Sequence, residues 1–387
     1  MGEIAPNASH HYWGLAVKGD GVDSDKYAQC KVLTRGLDFE SGNEISTETD
    51  EGHTGGANLD MGSYRSSAES QPAWNDAIRY GEGIEDIFYL MLGSVNRTND
   101  ANNIEGVPYK DTSGSTVDGV YTYHYEFPPM NAPELPFATI YNGYAKTVND
   151  ARIFNNAVLN EIEFTFSNTE LPRYDVTFVS DYNNFNMKNP SRTMPAKSIF
   201  AKPKQVNLYI GNVGDDETTM LSKKVGCFTE SSFSINNNFE TEICQDDEYG
   251  KNNKHMGVRE TEGSIEMSWS EKSKGLEPEY EGGLSTAHIV STEMAYKQIW
   301  YEIKGTPIGS TDAGYSTLIK FPEVEITKVE SPLSGDEAKT LSVEYKVLET
   351  PARSFMTVDV VTHLSKLNVD ETGVAFNTLY EEAVASP

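Results

Sequence analysis

Glu161 with Glu163 and Glu323 with Glu325 are carboxylate pairs two residues apart, each within a strand-like run that recurs in the sequence. On a strand, residues i and i+2 share a face and lie roughly 7 Å apart, a separation that two carboxylates can use for glycoside hydrolysis. The surroundings fit a strand. Ile162, Phe164 and Phe166 alternate with Glu161, Glu163 and Thr165, the pattern of one buried and one wet face. The plainer reading of both pairs is therefore the polar side of a half-buried strand. A polar face duplicated intact explains the second occurrence more simply than an active site duplicated intact.

No other spacing in the chain matches a catalytic or metal-binding device. The seven histidines include adjacent His10 and His11 and form no HExxH pattern. The sequence contains no GxSxG elbow, no Walker loop and no GxGxxG between strand and helix. Asp246-Asp247-Glu248 groups three acids but lacks the alternation and closing Glu of an EF-hand, so a solvated loop fits better. Cys30, Cys227 and Cys244 are odd in number and lack CxxC spacing, which reads as reduced thiols rather than a disulfide framework or zinc site. The expectation is a protein that is not an enzyme and carries no metal or cofactor.

Charge narrows the partners. A formal net charge of −28 over 387 residues opposes any grip on phosphates, which depends on Lys and Arg. It suits a surface that nucleic acid slides past without sticking, and it favours solubility. With 21 Tyr and 16 Phe, the composition favours β-structure and interfaces. No apolar run approaches the ~20 residues that cross a bilayer. The first six residues have neither the basic start nor the apolar stretch of a secretory signal. No membrane partner is expected.

The elements that would position the acids recur. Ile84, Ile87, Phe88 and Met91 form an apolar stripe at helical spacing, with Gly93 placed to end the helix. The run 299–305 repeats its look and predicts a second helix with Ile299, Trp300 and Ile303 in its core. Strand, turn and return strand from Glu161 to Val179 reappear around Val324, Ile326, Val343, Tyr345 and Val347, with Val176 matched to Val343 and Phe178 to Tyr345. Upstream, Phe39, Asn43, Thr47, Glu48, Gly56, Arg65 and Ser70 match residues 194 positions later, among them Phe233 and Arg259. Arg65 and Arg259 read as structural salt-bridge arginines.

A tandem duplication of one β/α unit follows. The expected organisation is an N-terminal arm (1–30), a first domain (31–185) interrupted by a surface-displayed insertion (94–158), a Pro- and Lys-containing linker (186–204), a second domain (205–365) and a C-terminal tail (366–387), which could pack or fray.

These features resemble the tail tube (major tail) proteins of long-tailed bacterial and archaeal viruses, over roughly residues 30–365. The likeness is carried by the Arg65 segment ahead of Leu90-Met91-Leu92-Gly93, the hairpin from Glu161 to Val179, Val225-Gly226-Cys227-Phe228 through Asn237, and Glu262-Gly263-Ser264-Ile265-Glu266. The resemblance implies a mainly β fold, a β-sandwich with a flanking helix per repeat, whose inner sheets close into a β-barrel ring of six units. Duplicated members make a pseudo-hexameric ring from three chains, a homotrimer. Rings stack into a tube in the virion tail, assembled in the host cytoplasm, with tape measure and tail terminator proteins as further partners. DNA would cross the lumen without specific binding. Glu161, Glu163, Glu323, Glu325 and Glu344 would then face that lumen, although alternation alone fits an ordinary solvated face equally. A rival is a tandem carbohydrate-binding or cell-surface β-module displaying Tyr121, Tyr123 and Tyr125.

Overall fold

The chain is mainly β. The computed structural model describes residues 11–19, 22–23, 25–30, 32–34, 38–54, 57–93, 104–127, 135–144, 151–181, 184–187, 199–226, 228–242, 253–269, 276, 296–330, 340–349 and 354–375. The strands used below are, in chain order, β1 (His11–Lys18), β2 (Asp38–Glu40), β3 (Asn43–Thr54), β4 (Ala57–Ser70), β5 (Ala73–Ala77), β6 (Thr116–Glu126), β7 (Ala138–Tyr144), β8 (Ala151–Ser167) and β9 (Arg173–Val179). They continue as β10 (Val206–Asn212), β11 (Phe228–Asn236), β12 (Phe239–Glu242), β13 (Asn253–Met256), β14 (Glu260–Ser268), β15 (Tyr296–Pro307), β16 (Gly314–Glu330), β17 (Thr340–Val347) and β18 (Thr357–Thr362). Helix α1 (Ile84–Leu92) lies between β5 and β6.

Strands β2, β5, β9, β8, β11, β14, β17 and β16 lie side by side in that order, each antiparallel to the next. The middle seam is β8 against β11, where Phe164 faces Phe233 and their rings stand 5.0 Å apart. Between β2 and β5 runs the hairpin β3–β4, and between β11 and β14 the shorter hairpin β12–β13.

One face of this series is apolar and covered. The first half of β8 leaves the series to pair with β7, which pairs with β1. Likewise the first half of β16 pairs with β15, which pairs with β10. Rings interlock across the space: Trp13 with Trp74 at 4.4 Å, Phe166 with Tyr301 at 5.1 Å and Phe88 of α1 with Phe164 at 5.7 Å. Phe164, Phe166 and Phe178 are fully buried, each contributing about 1.5–3 kcal/mol by removal from water.

The hairpin from β8 to β9 and the alternation on β16 form as expected. Helix α1 forms too, and Gly93 ends it with φ 72° while its N–H donates to the Tyr89 carbonyl. Ile87, Phe88 and Met91 are buried, but so is every other residue of the helix, so it is enclosed rather than half-exposed.

Five expectations need correction. Ile299, Trp300 and Ile303 belong to strand β15, not to a second helix. Residues 297–301 are all buried, and a strand covered on both faces loses the alternation that distinguishes it from a helix. For the same reason β1 was hidden within the supposed arm, although Trp13, Leu15 and Val17 are core. The segment 94–158 is no surface display: Val120, Tyr123, Tyr125, Ile140 and Phe154 are buried. Within the 186–204 linker, Ile199 and Phe200 pair with Tyr80 and Arg79. The return strand β17 sets Tyr345 opposite Ile326 and Val347 opposite Val324, as Tyr174 and Val176 lie opposite Phe164 and Ile162. The residue paired like Val176 is thus Val347, not Val343 as expected, four residues further along the chain.

Of the two readings of the tail, packing holds for its first part. Leu367 is buried, Val369–Asp370 runs parallel to β1, and Val374–Ala375 pairs with Lys26–Tyr27. His10, Cys227, Cys244, the 246–248 acids and the 332–335 turn lie outside the described residues.

Candidate functional site, an acidic sheet face

Because side chains alternate across a sheet, the residues between the core positions of the eight strands share its other face. One continuous row, in register, is Asn75, Asp175, Glu163, Ser234, Glu262, Lys346 and Glu325, and the backbone of Asp38 pairs with Asn75 at its end. A second row runs Thr177, Glu161, Asn236 and Glu260. A third runs Arg173, Thr165, Ser232, Ser264, Glu344 and Lys328. Glu161, Glu163, Glu325 and Glu344 are thus brought onto one surface. Glu323, next to buried Val324, takes the same side as Glu325 by alternation.

The chemistry of this face is carboxylate and hydroxyl, with few cations. Lys328 is held between Glu330 at 3.0 Å and Glu344 at 3.2 Å. Ser232 and Ser264 exchange a hydroxyl hydrogen bond at 3.2 Å. Glu163 sits directly opposite Asp175, a like-charge cross-strand pair that works against folding. Partial burial, and then the charges of Asp175 and Glu161, push the Glu163 carboxyl above its usual range. Burial also raises Asp175, against the pull of Arg173.

The sign follows from linkage. A carboxylate whose folded pKa is raised opposes folding at neutral pH, and the penalty fades as pH falls through that pKa. Glu163→Gln should therefore stabilise the protein at pH 7 by a few tenths up to about 1 kcal/mol, with the gain vanishing in acid. Urea denaturation at pH 7 and pH 4 measures it; a loss of stability at pH 7 would contradict the repulsion.

With carboxylates outnumbering Arg173, Lys328 and Lys346, such a face repels phosphate. Among the described residues, no three His, Cys, Asp or Glu side chains are grouped to hold a metal ion. No protein-family model matches this chain, and no curated protein matches it.

Other polar groups are structural, and some escaped the sequence. Among the described residues Arg259 makes no ion pair within 4 Å, although the charge of Glu349 acts on it. Its guanidinium lies 3.4 Å from the Phe127 ring centroid and 4.6 Å from that of Phe355, while Nε donates to Asn237 Oδ1 at 2.7 Å. Burial pulls its pKa down to about 9; the aromatic faces partly replace lost water. Arg65 stands on β4 opposite Thr47, and its side chain lies outside the described residues. On α1, Glu85 accepts from the Gly81 N–H and the Thr362 hydroxyl, and Asp86 accepts from the Asn368 N–H. Acids in a first helical turn were legible as dipole partners, but their anchoring of the C-terminal segment was not. Cys30 is buried.

On the far side of the fold, His124 Nδ1 meets Asp359 Oδ1 at 2.5 Å, and Lys320 reaches the same carboxylate at 2.7 Å. The hydrogen bond to Asp359 raises the His124 pKa. This pair contributes stability that is fully present below the unfolded value of about 6.5 and is lost as pH rises through the folded pKa. His124→Gln should flatten the stability profile across that window. NMR titration of the imidazole would check it: a pKa below 6.5 would refute the coupling.

Proposed function

We propose that this chain is a tail tube subunit, a tandem duplication whose two units supply adjacent parts of one ring wall around a DNA-conducting lumen. The observation that carries this reading is the repeated order of the sheet. Strands β2, β5, β9 and β8 are followed by β11, β14, β17 and β16, and each member of the first set has a counterpart in the second at the same place along the chain.

Details support the correspondence. The residue that turns the chain out of β2 is Gly42 with φ 55°, and out of β11 it is Asn238 with φ 48°. Each carbonyl there accepts from the chain returning after the hairpin, from Gln71 and from Gly257. Both β8 and β16 are 17 residues long, and each divides its length between the eight-strand series and the covering strands. This register matches Phe39 to Ile235, two residues from the match at constant offset. Among the described strands within 94–158, it leaves Val107–Lys110 and β6 unmatched, since β7 and the first half of β8 correspond to β15 and β16. The segment between β14 and β15, at the chain position corresponding to α1, lies outside the described residues apart from Leu276.

Three such chains supply six units. Closing the series into a ring removes its edge strands, which would otherwise template aggregation. The acidic face then lines the lumen, where carboxylates keep phosphates from binding. The rival carbohydrate-binding reading loses its platform, because Tyr123 and Tyr125 are core residues.

Negative-stain electron microscopy of the purified protein, with its solution mass, tests the proposal. Hollow rings or tubes with a mass near a multiple of three chains are expected. A single chain at every concentration and salt level would overturn it.

A further inference from the structure

The seam between the two halves is a template for the contact between chains. We infer that β2 of one copy pairs with β16 of the next, with Phe39 opposite Val324 and Asp38 opposite Glu325, displacing Lys297 and Tyr296 from that edge. This rests on the duplicated-ring reading above and specifies its contact residue by residue.

The derivation uses the internal seam. There Ile162 lies opposite Ile235. Val324 is the counterpart of Ile162: each is flanked by two glutamates and lies opposite a valine, Val347 or Val176. Phe39 is the counterpart of Ile235, since each stands three residues before the positive-φ turn at Gly42 or Asn238. Applying the seam to the outer edges therefore sets Phe39 against Val324. The neighbouring pairs follow, Asp38 with Glu325 and Glu40 with Glu323.

Both edges are suited to it, with one obstruction. Among the described residues, β2 pairs with β5 alone. The matching edge of β16 differs from that of β8 in one respect. Strand β7 stops pairing at Ala138 opposite Ala157, before the acids of β8, and so leaves room for β11. Strand β15 continues further, with Lys297 opposite Val324 and Tyr296 opposite Glu325. Those two residues occupy the positions that the next copy needs. Tyr296 is 45 % exposed, an unusually wet position for a large ring. In the free chain the start of β15 thus shields a sheet edge that would otherwise be open, and docking exchanges it for β2. The exchange sets Asp38 beside Glu325 and Glu40 beside Glu323, like charges that salt screens.

The test mixes Asp38→Cys chains with Glu325→Cys chains under oxidising conditions. A disulfide-linked dimer is expected only in the mixture, not from either variant or the unsubstituted chain alone. Glu40→Cys mixed with Glu323→Cys reports the same register should the first pair fold poorly. A double variant, Tyr296→Cys with Glu325→Cys, locks β15 to β16 within one chain; it should remain single when oxidised and assemble on reduction. Rings seen by microscopy without either mixed cross-link would overturn the register while leaving the tube reading intact. Locked chains that assemble as readily as reduced ones would overturn the displacement. Single chains throughout would overturn both the contact and the tube reading.

Discussion

Replacing Arg79 with methionine should cost about 3–5 kcal/mol of stability, the usual loss when one partner of a buried ion cluster is removed. Arg79 Nη2 lies 2.8 Å from Asp76 Oδ1, and Nη1 lies 3.5 Å from Glu82 Oε2. Both carboxylate side chains are only 3 % exposed. The guanidinium also stacks on Phe200, 4.9 Å from the ring centroid, which ties the segment after the first half to the strand before α1. Methionine keeps much of the volume but removes the cation that touches both buried acids.

Its pH dependence has a definite sign. Even beside Arg79, burial raises the Asp76 pKa to about 6. Asp76 is thus harder to ionise in the folded protein than in the unfolded chain, so it weighs against folding at high pH and is relieved below about 6. Without Arg79, Asp76 resists ionisation more strongly. The loss should be larger at pH 8 than at pH 5, as urea denaturation at both values would measure. Lysine should rescue poorly, since one point charge cannot replace the guanidinium's two contacts and its stacking. A loss below 1 kcal/mol at both pH values would be inconsistent with the cluster as described.

Phe233→Ala should also cost about 3–5 kcal/mol, through lost burial and a cavity that the surrounding rings cannot fill. The ring of Phe233 touches both halves at once. Phe164 and Phe166 of the first half lie at 5.0 and 6.1 Å, and Phe321 and Tyr301 of the second at 5.0 and 5.5 Å. Removing it weakens the seam more than either half. Denaturation followed by near-ultraviolet circular dichroism and by tryptophan emission should then show separated transitions, where the unsubstituted chain shows one. Coincident transitions with an unchanged midpoint would sink the idea that this ring couples the halves.

The sequence disclosed strands that have one wet face. Glu161, Glu163 and Thr165 alternate with buried Ile162, Phe164 and Phe166, so period and side could both be read. Strands with two covered faces were opaque: β1 looked like an arm and β15 like a helix, because burial on both sides erases alternation. The matches at a constant offset of 194 do not follow the pairings, and β3–β4 is far longer than β12–β13, a difference that shifts any constant offset across them. Within the candidate site, the acids were visible individually. Their assembly into a row depended on pairings between residues as distant as Glu163 and Ser234, which no local pattern encodes. The Arg79 cluster was invisible because Asp76, Arg79 and Glu82 sit in a strand–turn segment where i, i+3 spacing predicts nothing.

The strands β8 and β16, 17 residues each, extend roughly 55 Å if fully extended. Each belongs to the acidic face for part of its length and to the covering layer for the rest. The two layers of each half are therefore stitched by one unbroken backbone, and sliding one past the other would have to break ladder hydrogen bonds along that strand. Slip between layers, the soft mode of a sandwich held only by side chains, is suppressed. What remains is bending of the whole strand, so a load applied at the outer layer is delivered to the acidic face as curvature, much as a ply glued along its grain warps instead of shearing.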